Sequence, residues 1–338
     1  MKNTEENKNI DTLVHQQIDT LKKYLQSKGL SKATIKCYNT EILEFITWCD
    51  IENIEAENST ITEVTSYLKH LQNKGQNNQT RSINLNILKH YFDYLIANEI
   101  RNDNPAKHIK IRGTKQKHLY SIFTKEELES IYKNYTIPNA EDKRSNRNWF
   151  DNYKRSRHRN KAILSLIIYQ ALTTDEINRL TIKDVKLKEG TIFIQGTRKS
   201  NERELELKPH QIMELMEYQL TTRKVLLQEK NVETDLYFVP SLQVGKQTDK
   251  DISTLANYQI STSINIWKAL SRELKTQHKK FINFQQIRTS IITIWLKQYN
   301  LRQVQYMAGH RFISSTERYL ANQVEELQNE IDKYHPIG

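Results

Sequence analysis

The N-terminal part of the chain carries a repeated helical pattern of apolar positions. Apolar residues recur there every three or four positions, which predicts four amphipathic helices. The predicted helices span residues 12–28, about 31–49, about 62–73 and about 79–98. Gly29 is expected to end the first helix, Ser31 to cap the second, and the turn at 102–106 to close the bundle. The expected buried face of the second helix contains Ile35, Tyr38, Ile42, Phe45 and Ile46.

The rest of the chain is predicted to be mainly helical with one short sheet. Thr124 begins a capping box that opens a second domain. Residues 160–171 are hydrophobic nearly all round, so this helix must be buried. After Asp184, alternating apolar residues in E-G-T-I-F-I-Q-G and R-E-L-E-L-K-P predict two strands. Further helices are expected at about 209–229, 253–274 and 320–334.

The pattern near the C-terminal end predicts three helices in close succession. The first spans 285–298 and is followed by a turn at Asn300. A second, short helix ends at Gly309. Residues 314–316 are Ser, Ser and Thr, which are typical N-cap residues and predict a third helix that carries Tyr319.

The charge of the chain indicates a polyanionic partner. The formal net charge is +11, the isoelectric point is near 9.3, and Lys and Arg occur throughout the sequence. A broad basic surface favours nucleic acid as the partner, and an anionic membrane less strongly. On charge alone, a solvated basic surface without such a partner explains the composition equally well.

Two segments concentrate this charge. Residues 107–120 contain no acid and are expected to form an extended basic linker, which either lies along a phosphate backbone or is an ordinary solvated connection. Residues 143–161 contain a single acid, Asp151, and interleave cations with aromatic rings, as nucleic-acid surfaces do. The predicted DNA-binding residues in the two segments are Lys110, Arg112, Lys115, Lys117, Lys143, Arg144, Arg147, Lys154, Arg155 and Arg157.

Composition disfavours several other classes of protein. Cys37 and Cys49 are too few for a disulfide framework or a cysteine metal site, and both are expected in the core. Residues 1–11 are polar and expected to be disordered, and the N-terminal part lacks an apolar segment of signal-peptide length. No run approaches a membrane span, so a cytoplasmic protein is expected. A length of 338 residues favours two domains.

Four residues near the C-terminal end have a recognisable order and spacing. They are Arg288, Gly309, His310 and Tyr319. In this arrangement they resemble the tyrosine recombinase (phage integrase) family, whose pattern is H-x-L-R-H, then L-G-H, then Y. The first His of the family pattern is Gln285 here, and the residue after the Arg is Thr289.

Upstream segments add to this resemblance. Residues 172–180 resemble the first box of the family, G-L-R-x-x-E-x-x-x-L, with Glu176 in place but Thr173 where the family has an arginine. The predicted hairpin resembles one whose loop lysine enters the family active site. Lys199 is the expected lysine, and the adjacent Arg198 is the alternative and is predicted to bind DNA. The N-terminal helices resemble the family's core-binding domain, although a helical bundle of any function fits their pattern.

The resemblance implies a reaction and a role for each residue. Tyr319 attacks a phosphodiester to form a 3′-phosphotyrosyl intermediate, while Arg288 and His310 bind the non-bridging oxygens. Lys199 protonates the leaving 5′-oxygen, and Glu176 supports a neighbouring cation. No cofactor is implied. The implied partners are double-stranded DNA and copies of the same chain, as a dimer on each site and a tetramer in the synaptic complex.

Thr173 leaves three outcomes open. A threonine offers one neutral hydroxyl where the family offers a bidentate cation. Either another arginine (Arg179, Arg198 or Arg311) occupies the place, or the enzyme is active but slow, or the chain binds DNA without cutting it. Gln285 also bears on whether the chain cleaves DNA, because it can donate a hydrogen bond but cannot transfer a proton.

Each of these residues also has a purely structural explanation. Tyr319 can be a packing residue, His310 can cap the preceding helix, Arg288 can form an ion pair with Glu176, and Lys199 can be solvated. A basic helical scaffold of this kind would not bring the tyrosine, histidine and arginine together. The joint order and spacing of the motifs favour the active site.

The sequence therefore predicts a mainly α protein with two domains. An N-terminal four-helix core-binding (SAM-like) domain spans 12–106, the basic linker follows at 107–120, and an α-rich tyrosine recombinase catalytic domain with a small antiparallel β-sheet spans 121–338. The predicted function is integration or excision of a mobile element, and the alternative is a cleavage-deficient, recombinase-derived DNA-binding accessory protein. The helix at 320–334 is expected either to contact a neighbouring copy or to pack on its own chain.

Overall fold

The computed structural model describes residues 19–113, 121–139, 147–230, 233–239 and 255–320. The chain divides into two units, Met1–His118 and Leu119–Gly338, and each unit has its own hydrophobic core. The predictions for residues 1–18 and for the helix after residue 320 lie outside the described residues.

The described part of the first unit contains four α-helices, as the apolar pattern predicts. They are α1 (residues 19–27), α2 (Lys32–Ile51), α3 (Ile61–Asn73) and α4 (Asn78–Ala97). Gly29 follows α1 with a φ of 74°, and the Ser31 side chain accepts a hydrogen bond from the Thr34 N–H at the start of α2. Both signals are local, which is why the sequence alone predicts them.

The core of the first unit confirms most of the predicted face of α2. Ile35, Ile42 and Phe45 are buried, and the other two predicted positions are partly buried. Cys49 is also in the core, but Cys37 is exposed, so the prediction of two core cysteines is wrong for Cys37. Cys37 lies two positions after Ile35, and this spacing points its side chain to the opposite side of the helix.

The second unit surrounds a small sheet with helices. Its first helices are α5 (Lys125–Asn134), α6 (Arg147–Gln170) and α7 (Thr174–Arg179). Thr124 caps α5 in the predicted capping box with Glu127. Helix α6 begins well before the predicted start at residue 160, and its C-terminal half provides much of the core.

The sheet contains three antiparallel strands in the order β1-β2-β3. They are β1 (Val185–Lys186), β2 (Thr191–Ile194) and β3 (Arg203–Glu206). The two predicted strands are β2 and β3, whereas β1 is too short to show an alternating pattern. Ile194 lies opposite Arg203 in the register, and Ile192 lies opposite Leu205. The inward face of β3 therefore carries an arginine beside a leucine.

Two further helical stretches follow the sheet. The predicted helix at 209–229 consists of α8 (Pro209–Glu217) and α9 (Arg223–Lys230), joined by a π-helical turn at Tyr218–Thr222. Helix α10 spans Leu255–Gln277. The π-helical turn shifts the helical register by one residue, so both Tyr218 and Arg223 are buried.

Three helices complete the described part of the second unit. They are α11 (Phe284–Gln298), α12 (Leu301–Ala308) and α13 (Ile313–Glu317). Asn283 and Asn300 cap the first two, and Gly309 ends α12. The predicted start of the last helix is wrong, because Phe312 is its N-cap and residues 314–316 lie inside it. Tyr319 accordingly lies in the turn after α13 rather than within it.

Candidate active site

Arg288 lies on the buried side of α11, and only 7% of the residue is exposed. Its guanidinium donates hydrogen bonds to the carbonyl oxygens of Ala171 and Ala308, the latter at 2.6 Å. Burial lowers the pKa of Arg288, while the nearby Glu176 and Tyr319 oppose this change. Because a guanidinium keeps its proton in proteins, α11 holds a fixed positive charge inside the unit.

The turn after α12 places an imidazole beside this charge. Gly309 has a φ of 68°, and His310 follows it. His310 Nε2 lies 3.4 Å from Arg288 Nη2, and His310 Nδ1 lies 2.9 Å from Thr316 Oγ1. Burial and the charges of Arg288 and Arg203 lower the pKa of His310 to about 4, so the ring is neutral at pH 7. Since Arg288 can only donate, Nε2 is the acceptor and the proton is on Nδ1.

Tyr319 stacks on this histidine. The two rings are 5.6 Å apart between centroids and 12° from parallel. Gln285, on the first turn of α11, lies with its Nε2 atom 3.4 Å from the Tyr319 hydroxyl. The structure therefore brings together four side chains, those of Gln285, Arg288, His310 and Tyr319. An active site requires this proximity, whereas a basic helical scaffold does not.

Thr173 uses its side chain locally. It is the N-cap of α7, and its hydroxyl accepts a hydrogen bond from the Glu176 N–H at 3.2 Å. The same hydroxyl donates to Glu176 Oε2 at 2.9 Å, and the Thr173 N–H donates to that oxygen at 2.8 Å. Thr173 therefore fixes one oxygen of a buried carboxylate and leaves the other for a cation.

That cation is Arg203 on β3, a residue that the sequence analysis missed. Arg203 Nη1 lies 2.7 Å from Glu176 Oε1, whereas Arg288 Nη1 is 3.9 Å from the same carboxylate. Burial raises the pKa of Glu176, but the hydrogen bond and charge of Arg203, helped by Thr173 and Arg288, lower it overall. The predicted supporting role of Glu176 thus has a specific partner, Arg203.

Two of the three arginines proposed for this place, Arg179 and Arg311, contact other groups. Arg179 lies 3.2 Å from a carboxylate on its own helix, and Arg311 donates to the carbonyl of Arg198 at 2.8 Å. A signal for Arg203 does exist in the sequence, because R-E-L-E-L-K-P places it on the same strand face as Leu205. An arginine at a buried strand position requires a buried partner.

The hairpin loop between β2 and β3 is attached to the turn that carries His310. The Asn201 N–H donates to the Gly309 carbonyl at 3.0 Å, and Ser200 forms an isolated bridge with His310. Lys199 is exposed within this loop, with its N–H bonded to Thr197 Oγ1 at 3.2 Å. The backbone thus holds the Lys199 loop next to the Gly309–His310 turn.

The predicted DNA-binding residues of α6 have different environments. Lys154 is exposed, while Arg155 lies 2.9 Å from Glu229. Arg157 is 5% exposed and donates to the Thr136 carbonyl at 2.7 Å. It also forms an ion pair with Glu273 of α10. This geometry contradicts the predicted DNA contact of Arg157, which lies on the inner face of the helix.

The remaining predicted contacts fall into two groups. Lys110 and Arg112 are exposed in the first unit. Lys115, Lys117, Lys143 and Arg144, together with the side chain of Arg147, lie outside the described residues. Their predicted DNA contacts stay predictions.

Helix α10 contributes a basic surface that the sequence analysis missed. Lys268, Arg272 and Lys275 are exposed at helical spacing, and no ion pair involving them is found among the described residues. They line an open groove of about 760 Å³ that also contains Trp267 and Thr174, the first residue of α7. Because Thr174 adjoins Thr173, this groove begins next to the candidate site.

Two kinds of feature are absent from the described residues. No group of three or more His, Cys, Asp or Glu side chains within them could hold a metal ion. No helix in the same part of the chain has the length and apolar character needed to cross a membrane.

Solved structures share this fold. The XerH site-specific recombinase bound to difH substrate in a pre-cleavage complex matches with a TM-score of 0.61 and 19% identity, over 92% of this chain and 83% of that one. A lambda integrase(75-356) dimer bound to a COC′ core site matches with a TM-score of 0.60 and 14% identity, over 91% and 95%.

Sequence comparisons lead to the same group of proteins. The chain is 24% identical to tyrosine recombinase XerC of Oceanobacillus iheyensis over 94% of its length and 95% of the relative's, and 26% identical to XerD of that organism over 91% and 94%. Residues 18–102 match the phage integrase N-terminal SAM-like domain. Residues 122–326, more than half of the chain, match the phage integrase family, and the chain belongs to that family.

Proposed function

We propose that this chain is a site-specific tyrosine recombinase that cuts and rejoins DNA during the integration or excision of a mobile element. The observation that carries the proposal is the stacking of Tyr319 on His310, whose Nε2 lies 3.4 Å from the buried guanidinium of Arg288. A nucleophile, a proton acceptor and a fixed cation are the groups that a metal-free phosphodiester cleavage needs.

In the proposed reaction, the Tyr319 oxygen forms a bond to the scissile phosphorus while the bond to the 5′-oxygen breaks. His310 is neutral in the free protein, so it takes up the tyrosine proton and becomes a second cation beside the phosphate. Arg288 stabilises the charge on the non-bridging oxygens, and Lys199 gives its proton to the leaving oxygen. Rejoining follows the same steps in reverse.

Gln285 has the position of a family histidine. Its amide Nε2, 3.4 Å from the Tyr319 hydroxyl, can hold that hydroxyl or a phosphate oxygen by a hydrogen bond. It does not move a proton, so in this proposal proton transfer falls to His310 and Lys199.

The proposed partner is double-stranded DNA, held by both units. Domain limits of 12–106, 107–120 and 121–338 are part of the proposal. The groove of α10 and the exposed Lys110 and Arg112 support phosphate binding on separate surfaces. DNA-bound dimers and a tetramer among the structural neighbours support the proposed dimer on each site and tetramer in the synaptic complex.

A suicide substrate tests this function. Duplex DNA from the flanks of the element, nicked near the crossover point, loses the short strand after cleavage and so accumulates the covalent adduct. We expect an adduct with the parent chain, none with Tyr319→Phe, and a normal yield with Tyr299→Phe, which removes the hydroxyl of an exposed tyrosine before α12. An adduct that persists in Tyr319→Phe would refute the assignment of the nucleophile.

The second candidate is a recombinase-derived DNA-binding protein that does not cleave. Thr173 at the first-box arginine position favours it, because that side chain is committed to capping α7. This candidate predicts tight, salt-sensitive binding to the same substrate without any adduct. The two functions are therefore separated by measuring both adduct formation and salt-dependent binding on one DNA.

A further inference from the structure

Arg203 is an unusual residue for a short edge strand. Its side chain is completely buried, with Nη1 on Glu176 at 2.7 Å and Nε donating to the Met307 carbonyl at 2.9 Å. The remaining nitrogen, Nη2, is buried and has no hydrogen-bond partner among the described residues. A buried donor without a partner is costly, so a guanidinium with spare donor capacity beside Glu176 and Arg288 points to function.

The Gly309–His310 turn is shaped around this guanidinium. A Cβ atom at position 309 would lie within 2.8 Å of Arg203 Cζ and still closer to Nη1. Glycine at 309 therefore serves two purposes, since its φ of 68° ends α12 and its missing side chain leaves room for Arg203. After burial and the charge of Arg288, the charge of Arg203 also lowers the pKa of His310.

The charge balance of the site depends on Arg203. Glu176 lies between two guanidinium groups, at 2.7 Å from Arg203 and 3.9 Å from Arg288. With both arginines the buried group carries a net positive charge, whereas Arg288 and Glu176 alone are neutral together. Thr173 cannot restore the balance, because its neutral hydroxyl is bonded to Glu176. A neutral group would stabilise the charge on a phosphate far less.

We propose that Arg203, reaching in from β3, supplies the positive charge that the first box lacks at Thr173. This inference rests on the proposed function, since it assumes that the site binds a scissile phosphate. Arg203 acts as a positioning and electrostatic residue. It neutralises Glu176, so that the charge of Arg288 acts on the phosphate, and it holds the turn that carries His310.

The first test measures single-turnover cleavage of the suicide substrate. We expect Arg203→Met to slow adduct formation by about 10²–10³-fold, the usual effect of removing one preorganised donor. The Kd for DNA should change much less, because many phosphate contacts determine it. Adding Thr173→Arg to Arg203→Met should recover at least about tenfold of the rate by returning a cation to Glu176 from the other side.

A chemically altered substrate separates charge from structure. A methylphosphonate at the scissile position replaces a charged non-bridging oxygen by a neutral methyl group. If Arg203 acts through charge, the deficit of Arg203→Met relative to the parent shrinks at least about tenfold on this substrate, because less negative charge needs stabilising. An equal deficit on the two substrates would reduce Arg203 to a structural role and overturn the inference.

A further variant serves as the control for a loss of folding. Arg203→Met leaves the Glu176 carboxylate without its main partner, so its thermal unfolding is measured first. If it does not fold, Arg203→Met/Glu176→Gln is measured on both substrates. This double variant keeps the net buried charge of the parent, so it should cleave within about tenfold of the parent, and a deficit of about 10²-fold or more on both substrates would overturn the inference. If the parent forms no adduct, the proposed function fails. If the parent cleaves and folded Arg203→Met cleaves within threefold of it, only the Arg203 inference fails.

Discussion

Position 309 requires a glycine for two reasons, its left-handed backbone conformation and the close packing of the buried Arg203 guanidinium. Gly309 and Gly190 both have a φ of 68° and belong to the same unit. A Cβ at Gly190 would meet only the end of the Ile212 side chain, at 3.3 Å, whereas a Cβ at Gly309 would meet the guanidinium of Arg203. A substitution at Gly190 therefore tests backbone strain alone, whereas the same substitution at Gly309 tests backbone strain together with displacement of Arg203.

We expect Gly190→Ala to destabilise the chain by about 1–2 kcal/mol, the cost of placing an L-residue in the left-handed region. Gly309→Ala should cost more and should also slow adduct formation by about 10²-fold, because Arg203 and His310 shift together. Urea unfolding and single-turnover cleavage measure the two effects. Equal cleavage rates in the two variants would show that Arg203 tolerates the added methyl group.

Residues with local signals were predictable from the sequence, and those with distant partners were not. Thr124, Ser31 and Gly309 act on neighbours within a few positions, so their roles could be inferred from the residue type. Arg203 acquires its role from Glu176 and Gly309, which the fold brings to it from far along the chain. The family pattern indicated that a cation was missing at Thr173, and only the structure located the arginine beside Glu176.

At the scale of elements, α10 shows why exposure has to be known before charge can be interpreted. Dense cations in α6 predicted a DNA surface, yet Arg157 is directed inward and paired. Helix α10 has a less dense sequence, but Lys268, Arg272 and Lys275 occupy one exposed face beside α7. The number of cations on a helix says less about DNA binding than the face they share.

We expect replacement of Lys268, Arg272 and Lys275 together by Gln to weaken DNA binding and to reduce the slope of log Kd against log salt by about one to three units, up to about 0.9 for each lost phosphate contact. Fluorescence anisotropy at several salt concentrations measures both. The charge-matched control replaces the exposed Lys133, Lys188 and Lys224, which are scattered over α5, the β1–β2 turn and α9. An equal change in slope for the two triple variants would assign the effect to net charge alone.

At the scale of the whole molecule, the mainly helical fold with a small antiparallel sheet is confirmed, because amphipathic periodicity and strand alternation are properties of long segments. The two-residue β1, the π-helical turn at Tyr218–Thr222 and the N-cap at Phe312 were missed. None of the three has the residue pattern on which the sequence prediction relied.

Acid should destabilise the second unit through four histidines whose pKa is lowered by desolvation. Burial is the largest cause of a lowered pKa at each of them, and the value for His310 is about 4 against 6.5 in an unfolded chain. These residues are His158, His210, His278 and His310. Between the two pKa values the unfolded chain binds protons that the folded chain excludes, so stability is full above pH 6.5 and falls toward pH 4. The raised pKa of Glu214 acts in the opposite direction.

We expect the contribution of His310 to acid destabilisation to appear when the difference in unfolding free energy between two variants is compared at two pH values. The free energy of unfolding is measured in urea for the parent and for His310→Gln, at pH 7.5 and at pH 5. His310→Gln is less stable than the parent at pH 7.5, but it has no imidazole to protonate on acidification. The parent loses stability as the pH falls, so the difference in unfolding free energy between the two should narrow by about 1–2 kcal/mol at pH 5. A gap that stays constant would mean that His310 has the same pKa in the folded and the unfolded chain. Burial and the neighbouring arginines would then not keep the ring neutral at acidic pH, and the proposed uptake of the Tyr319 proton by His310 would lose this support.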